Sequence, residues 1–240
     1  MSTGMAHRSS LAAAVLASFC LAVLAPAWAH DGHKKAMQAV PTQGGQSAAY
    51  AFPLPEPGSY RLPAIRKAAG GSVLAADGSS QNLAELLKGR IAVFSFIYTR
   101  CADICPDATM QLAQLRELAK NHPDLSESLR LVSMSFDPDH DTPPVMQRYG
   151  SLWRVAGDRG AEWLFLTAAD RAALDPILAA YDQAVAPVDP ADPTGGLDHI
   201  LRVFLIDRAG QVRNIYSMDF LDPALLLADI LTLAQEDAGD

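Results

Sequence analysis

The sequence predicts an α/β layered domain. Two continuous apolar runs rich in β-branched and aromatic residues, 91–98 and 129–136, read as buried strands. Segments of helical period alternate with them, and a strand–turn–strand unit running into an amphipathic helix closes the chain. Strands and helices that alternate in this way bury their apolar faces by packing in layers.

Ahead of the domain, residues 1–29 read as a secretory leader. Arg8 supplies a short basic start, 11–24 an apolar stretch, and Ala27-Trp28-Ala29 a small-residue cleavage site. The apolar stretch is shorter than the roughly 18 to 20 residues a spanning helix needs, so an uncleaved anchor is the lesser reading. Cys20 is expected to leave with the leader, because a lipoprotein site needs a small residue before its cysteine and Phe19 stands there. Residues 30–57 are rich in Gly, Ala, Gln, Pro and Lys without a sustained period, and read as a linker. The folded domain is expected over 58–240, and the mature chain in the periplasm.

Within it, 60–65 is expected as a strand, Gly70-Gly71 and Asp77-Gly78 as turns, and Asn82 as the cap of a short helix that Gly89 ends. Pro106 suits the first turn of a helix over 106–121, whose Met110, Leu112, Leu115 and Leu118 recur at roughly helical spacing. The loop from Asp137 to Pro143 follows the second buried strand and is expected to form a turn and cap the next helix. A short strand at 163–166, a helix over 168–181, a strand over 200–206, a turn at 207–210, a strand over 211–216 and a final helix over 223–236 complete the order. The stretch 183–198 is rich in Pro, Asp and Gly and is expected as a long loop. Loops of that length in a compact domain usually serve a function, and this one leads to His199.

The net charge is −8, and Arg8 is the leader's only charged side chain, so the mature chain is more acidic still. Nothing here resembles the basic footprint of a nucleic-acid binder or of a protein drawn to anionic membranes. Membrane contact is expected only through the leader, if it is uncleaved.

Cys101-Ala-Asp-Ile-Cys105-Pro106 holds the only cysteines beyond the leader, between a buried strand and a helix start. A thiol near a helix N-terminus is biased toward thiolate, the form that attacks disulfides and binds soft metals. Three intervening residues let both sulfurs reach one point, which suits a chelate, a redox pair or a plain structural disulfide in an exported chain. His199 is the one histidine at the edge of a later apolar strand. Two sulfurs and an imidazole fall short of the four ligands of structural zinc and match copper better. Read alone, His199 is equally a hydrogen-bonded structural residue. His122 and His140 read as solvated, and His30 and His33 as a chance pair in a tail.

Three separated stretches carry a family resemblance: Phe96-Ile-Tyr-Thr99-Arg-Cys101-Ala-Asp-Ile-Cys105-Pro106, Ser135-Phe-Asp137-Pro-Asp-His-Asp141-Thr-Pro143, and Asp198-His199 before Val203-Phe-Leu-Ile-Asp207-Arg-Ala-Gly210. Together they resemble the Sco/SenC family, in the same order, over about residues 58–240. The resemblance implies a thioredoxin-like fold: a central mixed sheet flanked by helices, with an N-terminal hairpin extension. It implies a copper chaperone rather than an enzyme, with Cys101, Cys105 and His199 as ligands and the dinuclear copper centre of cytochrome c oxidase subunit II, or a related acceptor, as partner. Cys101 and Cys105 would also form a redox-active disulfide, which leaves a thiol–disulfide oxidoreductase as the alternative, served by a reductant of its own. Ala102 stands where proline is usual in the family, and Ile200 where Ser or Thr is common.

Overall fold

The computed structural model of the chain describes residues 53–101, 104–154, 157–189, 191 and 196–238. The proposed leader, Cys20 and the histidines at 30 and 33 lie outside the described residues, as does the linker up to residue 52. In chain order the elements are β1 (Arg66–Lys67), β2 (Ser72–Ala75), β3 (Ser80–Asn82), α1 (Leu83–Leu86), β4 (Ile91–Ile97), α2 (Ile104–Ala119), α3 (Leu125–Ser128) and β5 (Leu129–Ser135). Then come α4 (Pro143–Trp153), β6 (Glu162–Thr167), α5 (Arg171–Ala180), β7 (Val185–Pro187), β8 (Leu197–His199), β9 (Val203–Ile206), β10 (Gln211–Tyr216) and α6 (Pro223–Ala238).

Eight strands form one mixed sheet in the order β1-β10-β9-β4-β5-β6-β2-β3. At its centre β4, β5 and β6 are parallel, while β9 and β10 add antiparallel on the β4 side. Every residue of β4 is buried, as a central strand covered on both faces requires, and alternation along it separates two cores. Ile91, Val93 and Ile97 point to the face covered by α2, α4 and α6, beside Leu131, Trp163 and Leu205. Ala92, Phe94, Phe96 and Tyr98 point to the other face, where Leu83, Leu174, Ile177 and Tyr181 cover them. The hydroxyls of Ser95 and Ser133 meet at 3.1 Å inside the sheet, and the Trp163 indole N–H donates to Ser133, so these buried polar groups are satisfied.

Asn82 caps α1 as expected, its side chain accepting from the Ala84 N–H. The hairpin β2–β3, turned at Asp77-Gly78 with Gly78 at φ 86°, extends the far edge of the sheet beside β6. Three expectations need correction. The strand expected over 60–65 is not there: Pro63 has no N–H to give a ladder, and pairing with β10 begins only at the Ile65 N–H, which donates to the Val212 carbonyl. The expected loop 183–198 contains β7, which pairs with β8 as a separate two-stranded sheet. His199 therefore ends β8 and does not border β9, which starts only at Val203. Helix α2 also starts earlier than Pro106, so Cys105 lies in its first turn. No helix among the described residues is long and apolar enough to cross a membrane.

Candidate metal centre

The site assembles where the C-terminal end of β4 meets the start of α2. The β4 chain runs on through Tyr98, Thr99 and Arg100 to Cys101, whose N–H donates to the Tyr98 carbonyl at 3.3 Å. Cys105 follows in the helix, and its N–H, one of those a helix start leaves without an intrahelical partner, donates to Cys101 Sγ at 3.3 Å. Both cysteines are buried, with no bond between their sulfurs. The Cys105 carbonyl accepts from the Thr109 hydroxyl, which also meets the Tyr149 phenol.

His199 arrives from the hairpin. Its Nε2 lies 3.8 Å from Cys105 Sγ, and its Nδ1 faces the Leu197 carbonyl at 3.4 Å. Two rings wall it in: Phe136 at 4.7 Å between centroids and Tyr98 at 5.8 Å, edge-on at 90°. The Tyr98 hydroxyl accepts from the Leu197 N–H at 3.3 Å, joining the end of β4 to the hairpin. Burial pushes the Cys105 thiol well above its ordinary value, with the Cys101 side chain adding to the rise. Burial also lowers the His199 imidazole, against the opposing pull of the Leu197 carbonyl and the Asp198 charge. A neutral imidazole is the form that can bind metal.

Among the described residues no three His, Cys, Asp or Glu side chains already form a closed metal cluster. The separation of Cys105 Sγ and His199 Nε2 nevertheless fits an ion between them. Bonds of about 2.3 Å to sulfur and about 2.0 to 2.1 Å to imidazole, the lengths zinc makes, set the donors about 3.5 to 3.8 Å apart when the angle at the metal is about 110° to 120°. The observed 3.8 Å is within that range. Sulfur and imidazole in an apolar pocket are a soft donor set, one that suits copper.

The residues left aside by this reading lie elsewhere. Asp198 is exposed, His140 is exposed in the 137–142 loop, and His122 sits in the turn after α2. The segment after β5 forms the expected turn, in which the Asp137 carbonyl accepts the His140 and Asp141 N–H groups, but its aspartates do not cap α4. Thr142, not an aspartate, is the N-cap residue of α4, and no side-chain hydrogen bond caps that helix. Asp137 pairs with Arg100 at 2.6 Å, and Asp141 is wholly buried against Thr99 and Ser135. Tyr98 and Phe136 were legible only as strand residues, since their role depends on where the hairpin lands.

A family model described as SCO1/SenC matches residues 73–235, more than half of the chain. The chain belongs to the SCO1/SenC family. It is 32% identical over 91 residues to a SCO1 protein homolog of Bacillus subtilis, an alignment that covers 38% of this chain and 44% of that protein. The chain thus spans less than half the length of this relative. Among solved structures, Arabidopsis thaliana ScoI with copper bound superposes with a TM-score of 0.61 at 20% identity, covering 70% of this chain and 98% of that one. BsSco, a member of the Sco family of cytochrome c oxidase assembly proteins in which a disulfide switch was identified, gives 0.57 at 20% identity over 73% and 98%. The fold of this SCO1/SenC chain is therefore the thioredoxin-like one of the Sco proteins, with its mixed sheet between helical layers.

Proposed function

We propose that this SCO1/SenC chain is a periplasmic copper chaperone. In this reading residues 1–29 are its export leader, 30–57 its linker and 58–240 its functional domain. Cys101, Cys105 and His199 hold one copper ion and pass it to the dinuclear copper centre of cytochrome c oxidase subunit II. The observation that carries the reading is the approach of His199 Nε2 to Cys105 Sγ at 3.8 Å, across 94 positions of sequence. The copper-bound Sco neighbour supports it.

The chemistry asked of the chain is ligand exchange. Cys101 and Cys105 lose their protons as they bind the ion, His199 supplies a neutral nitrogen, and the apolar wall of Tyr98 and Phe136 limits water at the site. The thiolates of the acceptor then replace these donors one at a time. No substrate bond is made or broken, so the chain acts as a carrier and not as an enzyme.

A second reading is a thiol–disulfide oxidoreductase that keeps the acceptor's cysteines reduced. The closeness of Cys101 and Cys105 at the start of α2 favours it, as does the disulfide switch of BsSco. Anaerobic copper titration of the reduced protein separates the two. One copper per chain is expected, with sulfur-to-copper charge-transfer absorption in the Cu(II) form, and with both lost on oxidation to the disulfide. His199→Ala should weaken copper retention far more than it alters the reduction potential of the pair. A variant that keeps its copper but loses disulfide-reducing activity would favour the second reading, and undiminished binding after replacement of both cysteines by alanine would sink the first.

A further inference from the structure

We propose that Asp141 is a positioning residue that holds the cysteine loop in its metal-binding conformation, an inference that rests on the copper reading above. Asp141 is fully buried, six residues after Ser135 and far in sequence from the cysteines. Its Oδ2 accepts the Thr99 backbone N–H at 2.9 Å and the Ser135 hydroxyl at 2.5 Å, and its Oδ1 accepts the Thr99 hydroxyl. The Ser135 hydroxyl in turn accepts the Asp137 N–H, and the Asp137 carboxylate grips Arg100. The two residues immediately before Cys101 are thus fastened, one after the other, to the loop that follows β5.

The carboxylate has no other evident task. It does not cap α4, whose N-cap residue is Thr142, and it joins no metal cluster of the described residues. What its acceptors serve is the stretch that leaves the sheet ladder after Ile97, whose carbonyl takes the Phe136 N–H as the last β4–β5 link. Beyond that link, Thr99 would have its N–H and hydroxyl unpaired without Asp141. A buried donor left without its acceptor is costly, so the loop would move to find another partner and carry Cys101 with it.

The test compares Asp141→Ala and Asp141→Asn with wild type by chelator competition for copper, by the charge-transfer spectrum, by the reduction potential of the Cys101–Cys105 pair and by apo-protein melting. Asparagine can keep an oxygen toward the Thr99 N–H and Ser135, while its amide donates to the Thr99 hydroxyl oxygen. Alanine should weaken copper retention by about tenfold or more and shift the absorption band below the apo melting temperature, and asparagine should return retention to within about threefold of wild type. If the alanine variant does not fold, Thr99→Val, which removes one donor, should move the same readouts in the same direction by about threefold. A folded alanine variant with wild-type retention, spectrum and potential overturns the proposal, as does an asparagine variant no better than alanine. Should wild type itself bind no copper, the copper reading fails separately, and the reduction potential still reports whether Asp141 sets the distance between the two sulfurs.

Discussion

Tyr98 reaches both halves of the candidate metal centre: its backbone carbonyl accepts the Cys101 N–H, and its hydroxyl accepts the Leu197 N–H, two residues before His199. One side chain at the end of β4 therefore couples the cysteine segment to the hairpin that brings the imidazole, and its ring stands edge-on to that imidazole.

Tyr98→Phe keeps the ring and removes the acceptor. The Leu197 N–H then loses its partner, which costs on the order of 1 kcal/mol, or about fivefold in the population of the closed hairpin. Copper retention should fall by about that factor while the melting temperature changes little. Unchanged retention would show that ring packing alone holds His199.

Asp229 in α6 gathers three donors: the hydroxyls of Tyr60 and Tyr216 and the side-chain amide of Asn214. Asp229→Ala would strand them all, two of them on residues otherwise packed into the core. A loss of about 2 to 4 kcal/mol in urea-unfolding stability is expected, against about 1 kcal/mol for Tyr60→Phe. Equal effects of the two changes would contradict this accounting.

Asp158 makes stability depend on acid. Lys120 at 2.8 Å, together with Arg116, holds its carboxyl down at about 2, below an ordinary value of 3.8. Because the folded value is the lower one, the stabilisation is complete above the ordinary value and is lost as pH falls through it toward 2. Between about pH 5 and 2, Asp158→Asn should flatten part of the fall in melting temperature seen in wild type. Identical acid profiles for the two proteins would exclude Asp158 as a contributor.

In cells, deletion of the protein should lower assembled cytochrome oxidase activity at scarce copper, and added copper should restore part of it, since abundant metal reaches an open acceptor by mass action. A mild thiol alone should not restore it. Normal oxidase activity in a deletion strain grown at low copper would refute the chaperone role.

The parts of the fold that the sequence made legible are those whose burial is continuous. The runs 91–98 and 129–136 match β4 and β5 within a residue, because a strand covered on both faces needs nothing but apolar side chains. β7 and β8 escaped notice for the opposite reason. They are three residues each, only half-buried at best, and embedded in Pro, Asp and Gly that read as loop. Cys101, Cys105 and His199 stood out by residue type and motif, but the approach of the imidazole to Cys105 is set by the hairpin's landing place. Asp141 looked like any turn aspartate, since the partners that give it a role, Thr99 and Ser135, are chosen by the parallel pairing of β4 with β5.

Among the described residues the hairpin β7–β8 shares no strand pairing with the eight-stranded sheet. The cysteines and the histidine thus belong to units that open on different free-energy scales. Amides of β4 and β5 lie in the centre of the sheet and exchange with solvent only in the rarest, near-global excursions. A two-stranded ribbon is marginal by itself, so those of β8 are expected to exchange through more frequent local openings than those of β4 and β5. In the proposed copper site such an excursion would part the imidazole from the sulfurs while the rest of the molecule stays folded, a difference in tempo between nitrogen and sulfur that follows from the separate hairpin.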